Sequence, residues 1–204
     1  MTIDVLLFDL GKVVLDWDPR YFYRRFFTDD DAALERFLAD AVPAEWILAM
    51  DRGEPLTEAI ARRQREVPAH ARLIGLWREG WPQMLRGELA DTVAIVEALE
   101  RAGYPLYALT NFATETWAIA RACCPVLGRF RDIVVSGAIG IVKPEAQIYA
   151  HTIERFDLDP ARTLFIDDLA INVAAARAAG FEAVQFTDAA RLRVDLEFYG
   201  VALA

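Results

Sequence analysis

Apolar residues run unbroken through residues 3–9 (IDVLLFD) before the chain turns polar, the pattern of a short strand buried on both faces. From Pro19 to about Trp81 the spacing becomes helical. YFYRRFF, DAALERFLA, PAEWILAM, LTEAIARRQREV and ARLIGLWREG carry apolar residues three and four apart, punctuated by Pro43, Gly53, Pro55, Pro68 and Pro82, with no convincing strand. After Gly87 the two periods alternate. ELADTVAIVEALERAG predicts a helix stopped by Gly103, and YPLYALT a strand. ATETWAIARACC, FRDIVVS, EAQIYAHTIERFD, RTLFID, AINVAAARAAG and FEAVQF continue as helix, strand, helix, strand, helix and final strand, with Gly180 ending the last helix. Strands alternating with helices imply parallel βαβ units. The expected fold is therefore α/β: a doubly wound parallel-sheet core over residues 1–15 and 87–204, with an all-helical cap inserted over 16–86.

Composition changes this picture little. The chain has 204 residues, 55% hydrophobic and 26% charged, enough apolar material for one core with a small attached unit. A net charge of −9 argues against nucleic acid or an anionic membrane as the main partner. No stretch approaches the ~18 apolar residues of a membrane span. The start, MTIDVLLFDL, lacks a basic leader and carries Asp4, so a cytoplasmic protein is expected. Adjacent Cys123 and Cys124 read as reduced thiols on a helix, and with His70 and His151 they are too few and too scattered for a metal site. Monomer and homodimer stay equally open.

Ligands of doubly wound sheets bind beyond the carboxyl ends of the strands. The first strand ends on Asp9, Leu10, Gly11 and Lys12, and YPLYALT ends on Thr110, followed by Asn111. Lys143 and Pro144 lie near the start of the helix after FRDIVVS, and RTLFI ends on Asp167 and Asp168. Taken singly these are ordinary cap and turn residues. Together they gather carboxylates that repel unless a cation sits among them. Oxygen ligands at this density suit Mg²⁺ together with a substrate phosphate. A lysine, a hydroxyl and backbone N–H groups would hold the phosphate oxygens.

FDLGKVV, LTN, VKP and FIDD, in that order and at fitting intervals over nearly the whole chain, resemble the haloacid dehalogenase-like hydrolase superfamily with a helical cap after the first strand. With MDRGEPLTEA and VKPEAQIY, the match is closest to a bacterial subgroup that includes a glucose-1-phosphate phosphatase. The resemblance implies a Mg²⁺-dependent phosphatase of a small phosphorylated metabolite, a sugar phosphate being favoured. Asp9 would be the nucleophile and form an aspartyl-phosphate. Thr110 would bind the transferring phosphoryl group, with Asn111 and the backbone of Leu10 and Gly11 beside it. Lys143 would neutralise charge. Asp9, the Gly11 carbonyl, Asp167 and Asp168 would hold the metal, Asp168 directly and Asp167 directly or through water.

Gly11 departs from the pattern of most phosphatases of this superfamily, which carry a second aspartate there as general acid and base, help worth about 10²–10⁴-fold. Three readings follow. The leaving group departs with little protonation, or with help from Asp16, Asp18 or water. Alternatively the chain is a metal-free dehalogenase of 2-haloacids, against which the paired acids count electrostatically. Or it is a non-catalytic phosphate-binding protein. Trp46, Met50, Asp51, Arg52, Trp77 and Trp81, with Glu54, are the cap residues expected to meet substrate, although such aromatic spacing more often marks core. The cap is expected to swing on linkers near residues 16–19 and 81–87.

Overall fold

The computed structural model describes residues 2–204. Five strands, β1 (Val5–Phe8), β4 (Leu106–Thr110), β5 (Asp132–Val135), β6 (Thr163–Asp167) and β7 (Glu182–Gln185), form one sheet in the order β5-β4-β1-β6-β7. All its pairings are parallel, with Leu7 opposite Tyr107 on one side and Phe165 on the other. β1 is central and its Leu6, Leu7 and Phe8 are buried, because helices cover both faces. These are α7 (Ala90–Arg101), α8 (Thr114–Cys123), α10 (Ala146–Phe156), α11 (Ala170–Ala178) and α12 (Ala189–Phe198). From β1 the chain builds β4 and β5 on one side and then crosses back to build β6 and β7 on the other, so the strand order reverses at β1 and a crevice opens at its carboxyl end. Gly103 and Gly180 follow α7 and α11 with φ of +86° and +96°, the left-handed turn that stops a helix.

Between residues 20 and 84 lie six helices: α1 (Arg20–Tyr23), α2 (Asp31–Ala41), α3 (Ala44–Asp51), α4 (Leu56–Glu66), α5 (Ala71–Gly75) and α6 (Trp77–Met84). Asp30 caps α2 by accepting from the Ala33 N–H at 2.8 Å. Trp46 and Trp77 pack edge to face at 4.9 Å, beside the Tyr23–Phe37 pair at 4.8 Å. This helical unit has its own aromatic centre.

Three features depart from the sequence reading. The two connections to the helical unit are strands, β2 (Leu15–Trp17) and β3 (Leu85–Glu88), paired antiparallel with an irregularity between Asp16 and Trp17. Their few residues include Asp16 and Gly87, too short and too polar for a strand signal. The chain does not stop at β7 but adds α12, capped by Asp188. A short helix, α9 (Ser136–Ile139), follows β5 where only the end of a strand was expected, and Lys143 lies in the loop from it to the start of α10. Among the described residues no helix is long and apolar enough to cross a membrane.

Candidate active site

Asp9 directly follows β1, and its N–H donates to the Ile166 carbonyl of β6 at 2.8 Å. Register thus places it beside the end of β6, where Asp167 is the last strand residue and Asp168 begins the turn. Between β1 and β2 the chain turns back at once. Lys12 takes φ of +61°, and the Leu15 N–H reaches the Leu10 carbonyl at 2.8 Å. One carboxylate oxygen each from Asp9, Asp167 and Asp168 lies within 4.8 Å of the others.

Lys143 comes into this group from the far side. Its Nζ stands 2.8 Å from Asp9 Oδ1 and 2.7 Å from Asp167 Oδ2, and the side chain is almost wholly buried. Asn111 sets the position of the lysine loop: Nδ2 donates to the Lys143 carbonyl at 3.0 Å and Oδ1 accepts from the Lys143 N–H at 2.8 Å. Its amide oxygen and one of its two N–H groups are therefore spent on the backbone, and the second N–H stays free for a ligand. Thr110, at the end of β4, is buried beside this group of strand ends.

The three acids are not equivalent. Asp167 Oδ1 accepts from Leu169 N at 2.9 Å and Asn172 Nδ2 at 3.0 Å, while Oδ2 takes Lys143. Both its oxygens are saturated. Asp9 Oδ1 takes Lys143 and the Leu10 N–H at 2.7 Å, whereas Oδ2 accepts no hydrogen bond among the described residues. Asp168 lies at the edge of the group, and Lys12, whose charge pulls its pKa down, faces it.

Charge sharpens the point. Burial pushes the Asp9 carboxyl up to about 7. Lys143 opposes that rise, and Asp167 and Asp168 add to it. Burial also raises Asp168, with Asp167 adding. For Lys143, burial alone would favour the neutral amine, but Asp9 and Asp167 more than offset it and its pKa is raised. Three carboxylates share one fully buried ammonium, a set with charge to spare for a divalent cation and with the all-oxygen donors such an ion takes.

A solvent-open cleft reaches this rim at Gly11 and Asn111 and is walled by the helical unit and the loop after β4, although none of Asp9, Lys143, Asp167 and Asp168 lines it. Met50, Asp51, Trp77 and Trp81 line it, joined by Trp17, Ile47, Leu56 and Phe112. The other expected cap residues have structural duties. Trp46 is buried and donates Nε1 to the Ala59 carbonyl at 3.0 Å; Arg52 pairs with Glu145; Glu54 pairs with Arg62 at 2.7 Å. Asp16 accepts from the Tyr21 hydroxyl at 2.7 Å, and Asp18 takes the Arg20 N–H and guanidinium. Neither aspartate lines the cleft. Asp51, named from the sequence only as a cap residue, does line it, close enough to Asp9 and Lys143 for their charges to bear on it. Burial pushes its carboxyl up to about 7, against the pull of the Ala113 N–H, and Asp9 adds to the rise. A methyl at Gly11 would meet nothing within 4 Å, so no steric demand makes that residue glycine.

The model of the haloacid dehalogenase-like hydrolases matches residues 3–180, and the chain belongs to that family. It is 26% identical over 195 residues to the sesquiterpene phosphatase astK of Aspergillus oryzae, spanning 92% of this chain and 91% of that protein. Among solved structures it resembles a magnesium complex of a family enzyme from Bacteroides thetaiotaomicron, with a TM-score of 0.70, 21% identity, and 92% and 94% of the two chains covered. It also resembles the L-2-haloacid dehalogenase of Xanthobacter autotrophicus, with a TM-score of 0.68, 16% identity, and 98% and 85% covered. These structural likenesses show the fold. The chain is a hydrolase.

Proposed function

We propose that this hydrolase is a magnesium-dependent phosphatase of small phosphorylated metabolites that works through an aspartyl-phosphate on Asp9. The carrying observation is the group of three carboxylates around Lys143 at the ends of β1 and β6. Asp9, Asp168 and the Gly11 carbonyl would hold Mg²⁺, with Asp167 acting through the lysine and the turn it anchors. When bound, Mg²⁺ neutralises charge on the carboxylates and on the phosphoryl oxygens. The chain's own groups do the rest. Lys143 and the Leu10 N–H hold Oδ1 of Asp9, leaving Oδ2 to attack phosphorus. Thr110 and the backbone N–H groups after Asp9 bind the phosphoryl oxygens. As the new P–O bond forms, the ester P–O bond breaks, and the leaving oxygen takes a proton from the Asp51 carboxylic acid. Asp51, now ionised, removes a proton from the water that attacks phosphorus, which frees Asp9 and inorganic phosphate. The cap thus supplies the acid that position 11 lacks.

Residues 16–86 act as a cap that closes over the site and excludes water, with the β2–β3 ribbon as its tether. Ser136 Oγ donates to the Asp51 carbonyl at 2.6 Å, and the Arg52–Glu145 and Arg78–Glu115 pairs join cap to core. Phosphate release from a phosphomonoester panel, lost with EDTA and restored by Mg²⁺, tests the proposal. Release that persists in EDTA would overturn the metal dependence.

The dehalogenase reading draws support from the shared fold and from the ammonium beside Asp9. Against it, two further acids crowd the nucleophile. Chloride release from 2-chloropropionate without metal would favour it.

A further inference from the structure

The cleft that meets the rim at Gly11 and Asn111 has the wrong chemistry for a sugar. Trp17, Ile47, Met50, Leu56, Trp81 and Phe112 present hydrocarbon and ring edges to it. Its polar groups are mostly committed. Asn111 spends its amide oxygen and one N–H on Lys143, and the Thr116 hydroxyl donates to the Ala113 carbonyl at 3.1 Å. That leaves two single N–H donors, the second of Asn111 and the unpartnered Trp17 Nε1, and one acid, Asp51, which faces the charges of Asp9 and Lys143. A hexose placed here would lose water from several hydroxyls and find few partners to replace it, a desolvation cost for each hydroxyl left unpaired. A hydrocarbon would instead exchange water for apolar contact. Gly11 contributes by omission, because any side chain there would project toward the cleft floor, where a Cβ now meets open space.

We infer that the substrate is a phosphate monoester of a hydrophobic alcohol whose hydrocarbon chain lies between the cap helices α3 and α6 and Phe112 while its phosphate meets Asp9. This rests on the phosphatase reading, and one experiment separates the two. With Mg²⁺ present, kcat/KM is measured for n-alkyl monophosphates from ethyl to decyl and for glucose 1-phosphate. In parallel, binding of the corresponding n-alkyl phosphonates, which cannot be hydrolysed, is followed by calorimetry. Burial of each methylene should raise kcat/KM and affinity about fourfold until the cleft is full, and glucose 1-phosphate should fall below the butyl ester. Ile47→Asn should flatten that rise. Phosphate release indifferent to chain length, or best with glucose 1-phosphate, overturns the inference and leaves the phosphatase reading standing. No release from any ester, with phosphonate affinity still climbing with length, supports the hydrophobic site and overturns the phosphatase reading. No release and flat binding overturn both.

Discussion

The rim of the sheet and the cleft above it are built on opposite principles. At the rim, every polar atom of Asp167 is matched, Lys143 bridges two carboxylates, and Asn111 holds the lysine loop by two backbone bonds. Such a network has one geometry and little tolerance, since a partner removed leaves a buried charge alone. The cleft is held by shape, through rings and aliphatic chains that also form the cap's core. The difference teaches where chemistry and selectivity reside. On the proposed reading the rim handles one phosphoryl group in one way only, whereas selectivity rests on the side chains that line the cleft. The heaviest test falls on the rim. Asp9→Asn should cut phosphate release by more than about 10⁴-fold in single-turnover assays while a cooperative thermal unfolding transition shows that the variant still folds. Turnover near normal would break the assignment of the nucleophile.

Asp51 is the one residue that belongs to both regions, so Asp51→Asn probes their junction. Phosphate release from an alkyl ester should drop by about 10²–10⁴-fold, the worth of general acid–base help. The drop should be much smaller for p-nitrophenyl phosphate, whose leaving group needs no proton. An equal loss on both would make Asp51 a structural residue. Stability should move the other way. The folded carboxyl is pushed from 3.8 up to about 7, so the folded chain binds this proton more readily than the unfolded chain. Stability from that group is present below pH ~4 and is lost as pH rises toward 7. The amide escapes the loss, so Asp51→Asn should raise Tm at pH 8 and change it little at pH 4.5.

Lys143→Met should cost about 3–5 kcal/mol in urea unfolding at pH 8, because it leaves Asp9 and Asp167 charged and unpaired in the interior. The cost should shrink at pH 5, where Asp9, raised to about 7, takes up a proton. The same sign governs the unsubstituted protein without metal. Asp9 and Asp51 both titrate high, so the metal-free chain should be more heat-stable near pH 5.5 than at pH 8. Saturating Mg²⁺ should close that gap, adding about 2.7 kcal/mol at a hundred times its Kd. A pH 8 Tm indifferent to Mg²⁺ would remove the cation from the rim.

The same contrast explains what could be read from residues alone. The rim was legible because each station is local: a strand ends and a polar residue follows, so Asp9, Thr110, Asp167 and Asp168 fall at adjacent strand ends once the sheet order is parallel. Lys143 was legible as one of these stations, but not what holds its loop, since Asn111 lies 32 residues away. The cleft was not legible. Trp77 and Trp81 are core residues and cleft walls at once, and nothing in helical spacing says which face of a core side chain meets empty space. Asp51 stood out in the sequence only as a cap residue, because its effect depends on burial and on Asp9 across the cleft. α12 was missed because exposed Val194 and Phe198 and the largely buried Asp195 blur its apolar stripe.

The smallest expected effect concerns how cap and core are joined. Arg52 and Glu145 are both partly exposed, and pairs of that kind contribute less than about 1 kcal/mol. Yet Arg52 directly follows Asp51, whose carbonyl is held by Ser136 on the core side. If the pair only decorates the surface, Arg52→Ala should leave kcat and KM as they are. If it latches the cap closed, loss of the pair should loosen closure and raise KM a few-fold, with kcat and Tm almost unchanged. Added salt should mimic the substitution, because exposed ion pairs are screened. We expect the latch, since the other cap-to-core ion pair, Arg78–Glu115, is also partly exposed and too weak to hold the closed state alone. A KM equally salt-sensitive in Arg52→Ala and the parent would assign that sensitivity to phosphate binding at the rim and leave the cap held by its apolar contacts.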